Sequence, residues 1–455
     1  MQKAGLGGSN ETTDTAFGSF YLWAFDPVYL AVYRHDDLHL HLRGGRWFFV
    51  SNYAGKTPFA AVNLIYPLLM ILATAGFMFG TGGSAIVAKT LGEGDKPRAN
   101  RYFSLFVYVS AGLGAILAVL GIAFTRPLAR LLGAEGEMLE AAVLYARIIL
   151  LALPFNVLQM LFQSFFVTAE KPQLGLAVTV SSGMTNMILD AVLVILLPQE
   201  YKLAGAAAAT ALSQVVGGGV PLLYFGRNND SILRLSRTAF DGKAIARACA
   251  NGSSEFMSNI SMNLVGMLYN IQLIKYAGED GVAAYGVLMY VSMIFSAAFI
   301  GYSIGTAPVF GYHDGAKNQG ELKGLLRKSL LMIGCFGVVM VISGELLAEP
   351  LARLFVGYDE GLMALTISGF RIFALSFLFM GFAIFGSGFF TALNDGLTSA
   401  LISFLRTLVF QAAAVLLLPL HWGIDGIWWS IVVAEVMAVV FSALFLVLKR
   451  KKYGY

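Results

Sequence analysis

Charged residues are scarce in this sequence. Of its 455 residues, 13% are charged and 57% are hydrophobic, and the mean hydropathy is +0.72. Soluble domains carry about 25% charged residues, so this composition excludes a soluble globular protein. It predicts an all-α polytopic membrane protein instead, because only helices and closed barrels satisfy their backbone hydrogen bonds in lipid and no hydrophobic run here has to be a strand.

Cysteine and histidine are also rare, which excludes several kinds of site. The two cysteines, Cys249 and Cys335, both lie inside hydrophobic runs, so we expect small core residues rather than a disulfide framework or a thiolate metal site. The sequence has no His-Glu-x-x-His motif and no plausible Ser/His/Asp set, so it predicts neither an enzyme nor a bound cofactor. The net charge of +4 comes mostly from short loops between hydrophobic runs, which argues against a nucleic-acid partner.

The chain contains one long internal repeat. Residues 127–131 and 350–354 both read Pro-Leu-Ala-Arg-Leu and lie 223 positions apart. Other positions repeat at this or a slightly shifted offset: Gly82 with Gly305, Gly92 with Gly315, Gly205 with Gly426, and Gln214 with Glu435. A long period with many hydrophobic runs in each copy indicates a duplicated membrane bundle rather than a solenoid.

Hydrophobic runs long enough to span a membrane, about 20 residues each, follow one another along the chain. We place eleven of them at residues 58–81, 102–124, 139–165, 173–197, 204–225, 244–276, 282–309, 326–347, 361–388, 397–419 and 425–448. The repeat demands a twelfth, at about 21–53. The predicted fold is therefore two parallel-repeat six-helix bundles with twelve spans, the first one atypical or damaged.

The distribution of charge sets the predicted orientation. With both termini cytoplasmic, 18 Lys and Arg residues fall on the inside and six on the outside, the bias that is typical of a multi-pass protein of the cytoplasmic (cell inner) membrane. Five segments are predicted: an atypical N-terminal segment at 1–47, an N-terminal bundle at 48–225, a cytoplasmic linker at 226–243, a C-terminal bundle at 244–448 and a basic cytoplasmic tail at 449–455.

Three polar residues in the first half form a candidate cation or proton site. Asn186 and Asp190 lie one helical turn apart in the fifth expected span and so share a face, and Thr210 lies in the next span. A desolvated aspartate holds its proton more tightly, which would suit a proton carrier; with the Asn and Thr oxygens it could instead coordinate Na+. The structural alternative is an aspartate near the helix end that outer water solvates.

A second polar group lies in the seventh span. Its members repeat at i, i+4 and i+8: Glu255, Asn259 and Asn263. We interpret this stripe as facing a substrate cavity, with contacts between helices as the structural alternative. Two arginines in later spans, Arg371 and Arg406, could form ion pairs with Glu435 or Glu255.

Several short motifs give the chain a family resemblance. They lie, in order, at residues 83–95 after the second span, 186–190 in the fifth, 205–210 in the sixth, 254–259 in the seventh and 426–428 in the last. Over residues 48–448 their order and spacing resemble the multidrug and toxin extrusion (MATE) antiporters.

This resemblance implies a V-shaped pair of bundles that alternates access and exports small organic cations in exchange for H+ or Na+. The family's cation site would fall on Asn186, Asp190 and Thr210. We expect a monomer in contact with membrane lipid. Two alternatives remain: a lipid-linked saccharide flippase of the same superfamily, and a non-transporting product with a defective first helix.

The first 47 residues depart from the family pattern. Similar proteins have an aspartate near the end of the first helix, where this chain has Arg46, and charges also lie at Arg34, Asp36 and Asp37. Each central Arg or Asp would cost about 2.5 to 3.5 kcal/mol in a spanning helix. We hypothesise that residues 1–47 are translated from a shifted reading frame; the alternative is a diverged extension that has lost the first helix.

Overall fold

A computed structural model describes residues 56–132, 134–357 and 359–455 of the chain. These residues are almost all helical and contain no strand, so the predicted all-α class is confirmed for them. The atypical segment 1–47 and the first predicted span lie outside the described residues.

The helices fall into two successive sets. The first half contains α1 (Lys56–Gly92), α2 (Lys96–Leu131), α3 (Gly136–Leu151), α4 (Leu153–Thr168), α5 (Pro172–Leu196), a 3-10 turn (Gln199–Tyr201) and α6 (Lys202–Gly226). The second half contains α7 (Gly242–Gly315), α8 (Gln319–Val356), α9 (Glu360–Ala374), α10 (Phe377–Ala392), α11 (Gly396–Phe404), a π-helical segment (Leu405–Phe410), α12 (Gln411–Leu417) and α13 (Pro419–Tyr453).

All eleven hydrophobic runs that the sequence predicts as spans are helical. Eight helices of the described chain are long and apolar enough to cross a membrane, and two bent pairs, α3 with α4 at 57° and α9 with α10 at 48°, bring the number to ten. The eleventh is the part of α7 before Gly278, where the backbone turns to φ 61° and divides α7 into two helices. Residues 242–277 are less apolar than the other spans because they carry the polar stripe.

The internal repeat is visible in the backbone. The bent pairs occupy equivalent places in the two halves. The helix before each pair, α2 or α8, begins with a capping side chain: Asp95 accepts a hydrogen bond from the Arg98 amide, and Asn318 accepts one from the Glu321 amide. Left-handed residues also recur at equivalent positions: Gly94 with Lys317, and Glu170 with Asn394.

Hydrophobic side chains form separate cores in the two halves. One buried cluster draws only on residues 265–455 and another only on residues 61–207. A third belongs mainly to the first half but includes Ala244 and Ala248 of α7. The described halves therefore share a hydrophobic core only near the start of α7.

Glycines bring the two halves together at one end of the molecule, the end that the sequence predicts to be cytoplasmic. A Cβ atom on Gly252 of α7 would overlap the Met78 carbonyl of α1, and one on Gly92 would overlap the Tyr312 carbonyl. The repeat-related contact exists as well, because a Cβ atom on Gly315 would overlap the Lys89 carbonyl. Small residues permit this backbone approach. We call this crossing of α1 and α7 the joint.

Two smaller predictions concern the burial of the cysteines and the C-terminal tail. Cys249 is half-buried, but Cys335 is exposed on α8, so the expectation of two core cysteines was wrong for Cys335. In a membrane a spanning helix can turn apolar residues outward to lipid, so an apolar run does not fix burial. Residues 449–453, predicted as part of a basic tail, form the last turn of α13.

The segment that connects the two halves is hydrogen-bonded to α2. Asn100 of α2 accepts a hydrogen bond from the Arg234 amide at 2.6 Å, and the Ser104 hydroxyl accepts one from the Ser236 amide at 2.8 Å. Leu233, just before Arg234, is fully buried. Residues 231–236 therefore form a strap along the first half before α7 begins.

Candidate functional site

The candidate cation site of the first half lies between α5 and α6. Asn186 Nδ2 is 3.5 Å from Thr210 Oγ1, and the Thr210 hydroxyl donates to the Ala206 carbonyl at 3.1 Å. Asp190, one turn further along α5, is fully buried at 0% exposure, while Asn186 is half-buried. The structure therefore brings Asn186 and Thr210 together across two neighbouring helices, and it buries the carboxylate next to them on α5.

A neutral polar network connects the helices of the same half, and the sequence did not predict it. Gln159 of α4 donates to the Ser182 hydroxyl at 3.4 Å, and that hydroxyl donates to the Ser213 carbonyl at 2.7 Å. Gln214, next in α6, is also buried. Gly217 leaves room for the Gln159 amide, which a Cβ atom there would overlap. The one signal of this network in the sequence is that polar residues occur inside hydrophobic runs.

The predicted cavity stripe lies on the first part of α7. Glu255 and Asn259 are both half-buried, and Asn259 Nδ2 donates to the Glu255 carbonyl at 2.9 Å. The side chain of Asn263 lies outside the described residues. Because this part of α7 packs against α1 on one side and α11 on the other, the stripe lies at the boundary between the halves.

A buried ion pair accompanies Glu255 in the second half. Arg406 Nε lies 3.0 and 2.8 Å from the two carboxylate oxygens of Glu435, and its Nη2 lies 2.8 Å from one of them. The Glu435 side chain is 0% exposed and that of Arg406 is 16% exposed. The π-helical segment that carries Arg406 packs against α7, the helix that carries Glu255. The predicted pairing of Arg406 with Glu435 is confirmed.

The other predicted arginine pairing was wrong. Arg371 Nε lies 3.7 Å from Glu345, and both side chains are largely exposed. Arg371 lies in the last turn of α9, and Glu345 lies late in α8, so the two residues meet where these adjacent helices approach. Neither Glu435 nor Glu255 is the partner of Arg371 in this structure.

Buried hydroxyl groups line the contact of α10 with α11. The Ser387 hydroxyl lies 2.9 Å from that of Ser399 and 2.7 Å from that of Ser403, and the Thr391 and Ser399 hydroxyls are 2.7 Å apart. These four side chains are all buried. Hydroxyl groups satisfy one another here without adding charge.

Polar contacts also cross the joint, and none of them was predicted. Lys89 Nζ of α1 lies 2.6 Å from Asp314 Oδ2 of α7, with the side chains 36% and 13% exposed. Asn251 Nδ2 lies 3.5 Å from the Gly82 carbonyl of α1, and Asn394 Nδ2 lies 3.4 Å from the Ala85 carbonyl. The joint thus combines glycine contacts with hydrogen bonds and one ion pair.

The connection after α4 carries a clasp of opposite charges. Lys171 Nζ lies 2.7 Å from Asp230, and the Tyr224 hydroxyl donates to the same carboxylate at 2.9 Å. Hydrogen bonds from Lys171 and Tyr224 lower the pKa of Asp230 to about 2. This first-half clasp connects the turn before α5 with the chain just after α6.

The connection after α10 carries a second clasp. Asp395 accepts a hydrogen bond from the Tyr453 hydroxyl at 2.9 Å and lies 3.2 Å from Lys449 and 3.5 Å from Lys452. Burial by itself raises the pKa of Asp395, but the hydrogen bonds from Tyr453 and Lys449 outweigh it and hold the pKa at about 2. This second-half clasp fastens the end of α13.

The described residues contain no group of three or more His, Cys, Asp or Glu that could hold a metal ion. A site of one carboxylate with Asn and Thr oxygens would not meet that criterion, so the Na+ alternative at Asp190 stays a prediction. The donor set itself, with oxygen ligands only, suits a hard cation.

Comparisons with known proteins agree on one family. A family model described as MatE matches residues 47–192 and 256–416. The chain is 24% identical over 394 residues, 86% of each chain, to the Multidrug export protein MepA of Staphylococcus aureus (strain MRSA252). It is 26% identical over 389 residues to MepA of Staphylococcus haemolyticus (strain JCSC1435), covering 85% of this chain and 84% of that one.

The fold agrees with solved structures as well. One is described as the outward-facing conformation of a multidrug resistance MATE family transporter of the MOP superfamily. It superposes with a TM-score of 0.88 over 95% of this chain and 96% of that chain, at 21% sequence identity. The family match begins at residue 47, beside the predicted boundary of the atypical N-terminal segment.

Proposed function

Because the chain belongs to the MATE family of membrane transporters, we propose that it exports small organic cations in exchange for H+ or Na+. The observation that carries this proposal is that each half has a carboxylate inside a predicted span, Asp190 on α5 and Glu255 on α7. Ionisable groups inside spans are costly and usually serve a substrate or ion path. The similarity to proteins named for multidrug export supports the same substrate class.

In the proposed mechanism the coupling ion binds in the first half. Asp190 holds a proton, or holds Na+ together with the oxygens of Asn186 and Thr210. Glu255 and the Asn259 amide contact the substrate cation at the boundary between the halves, and Asn263 is proposed to extend this contact. Filling one carboxylate lowers the negative charge that attracts the other cation, so ion and substrate favour different states of the transporter.

Alternating access would require the two halves to move about the joint. In the described state the halves meet through Gly252, Gly92 and the Lys89–Asp314 pair, all at the predicted cytoplasmic end. This supports a state that is closed towards the cytoplasm. Export would begin when these contacts separate and the site opens to the cytoplasm.

The proposed setting is the cytoplasmic membrane, with both termini inside and the protein acting as a monomer. The excess of Lys and Arg in the connections at the joint end supports this orientation. Under it, the strap at residues 231–236 and both clasps lie on the cytoplasmic side.

The decisive experiment uses the Asp190→Asn variant in proteoliposomes. Uptake of tetraphenylphosphonium, a monovalent organic cation, is measured with only a pH gradient and then with only a Na+ gradient, so the gradient that drives uptake identifies the coupling ion. We expect at least about a tenfold loss of gradient-driven uptake in the variant, because the amide cannot take up a proton and lacks the negative charge that would hold Na+.

Asp425→Asn is the matched control, since it removes an exposed carboxylate of α13. Both variants are compared at equal amounts of inserted protein. Gradient-driven uptake by Asp190→Asn at the wild-type rate would contradict the assignment of the coupling site.

A further inference from the structure

Among the described residues, three ionisable side chains lie together inside the second half. Glu255 is half-buried on α7, Arg406 lies in the π-helical segment after α11, and Glu435 is fully buried on α13. Two carboxylates and one guanidinium leave a single net negative charge. The arrangement of the pairs decides where that charge is available.

Arg406 is committed to Glu435 by its geometry. Its Nε atom lies within 3.0 Å of both Glu435 oxygens, and Nη2 adds a further contact at 2.8 Å. A buried carboxylate needs such a partner, because an uncompensated charge in the interior is strongly destabilising. The pair is therefore close to neutral as a unit, and Arg406 is not available to pair with Glu255.

Without Glu435 the same guanidinium would act differently. Arg406 is near enough to interact electrostatically with Glu255, and its π-helical segment packs directly against α7. An unpaired Arg406 would cancel the charge of Glu255 in a region where charges interact strongly. It would occupy the place of the organic cation as an internal competitor.

Local backbone geometry sets this arginine apart. The segment Leu405–Phe410 is π-helical, a rare conformation that often occurs at functional positions. In the first half the equivalent helix, α5, is α-helical over its whole length. Ser182 stands at the position equivalent to Arg406, and Gln214 at the position equivalent to Glu435. The ion pair is therefore a feature of the second half alone among the described residues.

We infer that Glu435 is a positioning residue that sets the charge of the second-half site. By holding Arg406 it leaves Glu255 as the one carboxylate of the site without a guanidinium partner, so that this site selects a monovalent organic cation. This inference rests on the proposed export of organic cations and adds the residues that fix the charge of the accepted substrate.

The test is equilibrium binding of radiolabelled tetraphenylphosphonium to the purified full-length chain in lipid nanodiscs at pH 7.5. The variants are Glu435→Gln, Arg406→Gln, the double variant and Glu255→Gln. Glu345→Gln is the matched control, because it removes an exposed carboxylate from a different ion pair of the same half. Size-exclusion chromatography verifies that each variant is folded.

The expected result is asymmetric. Glu435→Gln weakens binding at least about tenfold, because the freed arginine charge opposes the ligand. Arg406→Gln binds at least as tightly as wild type, since it removes a positive charge and leaves Glu255. The double variant returns to within about threefold of wild type, and Glu345→Gln does not differ from it. A purely structural pair would not produce this difference in sign.

Two contrary results are distinguishable. If Glu435→Gln and Arg406→Gln weaken binding equally and the double variant is no better, the pair is structural and the inference is wrong, while the proposed function stands. If wild type and Glu255→Gln bind tetraphenylphosphonium equally, the proposed substrate site at Glu255 is wrong, and the inference fails with it.

Discussion

The two halves of this chain have the same backbone plan but place their charges differently. Both contain a bent helix pair, both cap the helix before that pair with an Asx side chain, and both turn through left-handed residues at equivalent positions. The residues themselves differ: Gly94 in the first half corresponds to Lys317 in the second. The fold retains the conformation even where the residue is not the one that adopts it most easily.

The clasps show how a charge can be reversed without loss of the contact. Lys171 and Asp395 occupy equivalent positions, one residue after a left-handed residue, and carry opposite charges. The partner of Lys171 is Asp230, just after α6, and the partners of Asp395 are Lys449 and Lys452, at the end of α13. Both members of the pair have changed sign, so the attraction persists.

The interior teaches the opposite lesson. At equivalent depths the first half contains the neutral side chains of Ser182 and Gln214, and the second half contains the ion pair of Arg406 and Glu435. A buried charge cannot be exchanged for a neutral group unless its partner changes as well. We therefore expect substitutions to have large effects at the joint and in the interior, and small effects at the clasps.

The largest effect is expected at the joint, where the halves depend on each other. Gly252→Leu would place a side chain where the Met78 carbonyl of α1 lies, so α7 must move away from α1. We expect at least about a tenfold loss of gradient-driven tetraphenylphosphonium uptake, because backbone overlap cannot be relieved by a rotamer change.

Gly266→Leu in the same helix is the control, because no atom lies within 4 Å of a Cβ built there. Both variants are assayed in proteoliposomes at equal protein. If Gly252→Leu transports as well as Gly266→Leu, the close crossing of the halves is not required for transport.

A smaller effect is expected from the ion pair that crosses the joint. Lys89→Ala removes a partly exposed pair, which is typically worth about 1 kcal/mol or less. That energy shifts the equilibrium between joined and separated halves by about fivefold. The measurement is the distance distribution between spin labels at Glu93→Cys and Lys317→Cys, with both native cysteines replaced by serine.

The charge-reversed pair Lys89→Asp with Asp314→Lys is the rescue variant. It should return the distance distribution towards that of the parent, because the attraction is restored across the same gap. An unchanged distribution in Lys89→Ala would show that the joint does not depend on this ion pair.

At the second-half clasp we expect a change in local order at the end of α13, and not a change in transport. Asp395→Asn loses charge-assisted hydrogen bonds from Tyr453 and Lys449, worth about 1.5 kcal/mol. Amide hydrogen exchange in residues 449–455 should become about tenfold faster near neutral pH. Exchange elsewhere in α13 serves as the internal control.

The same clasp predicts a dependence on pH with a defined sign. The pKa of Asp395 is lowered from its ordinary 3.8 to about 2, so its stabilisation is present above about pH 4 and disappears as the pH falls towards 2. After correction for the intrinsic exchange rate, protection of residues 449–455 should be constant from pH 5 to 8. Loss of protection within that range would contradict the assigned pKa.

The sequence was sufficient to predict the helices but not how they pack together. Runs of about 20 apolar residues identified all eleven described spans, because lipid requires a helix wherever such a run occurs. The neighbourhood of Asn186 and Thr210 was also predictable, since consecutive helices usually pack together. Arg406 with Glu435 followed from the scarcity of charge: few partners exist inside the membrane.

What could not be predicted depends on helix crossing and rotation. Lys89 and Asp314 are 225 residues apart, and their contact arises only where α1 crosses α7. The exposure of Cys335 depends on which face of α8 meets lipid, and apolar residues suit either face. The neutral network around Gln159 requires knowledge of three helices at once.

The smallest effect is expected at the first-half clasp, although its pKa shift equals that of the second. Asp230 is mostly exposed, so water and salt screen its attraction to Lys171. The strap beside it is held independently by the bonds of Asn100 and Ser104 to backbone amides. Asp230→Asn should therefore leave amide exchange of residues 231–236 unchanged, whereas Asn100→Ala should accelerate it. Faster exchange in Asp230→Asn, comparable with that at the second-half clasp in Asp395→Asn, would mean that charge rather than backbone bonding holds both halves.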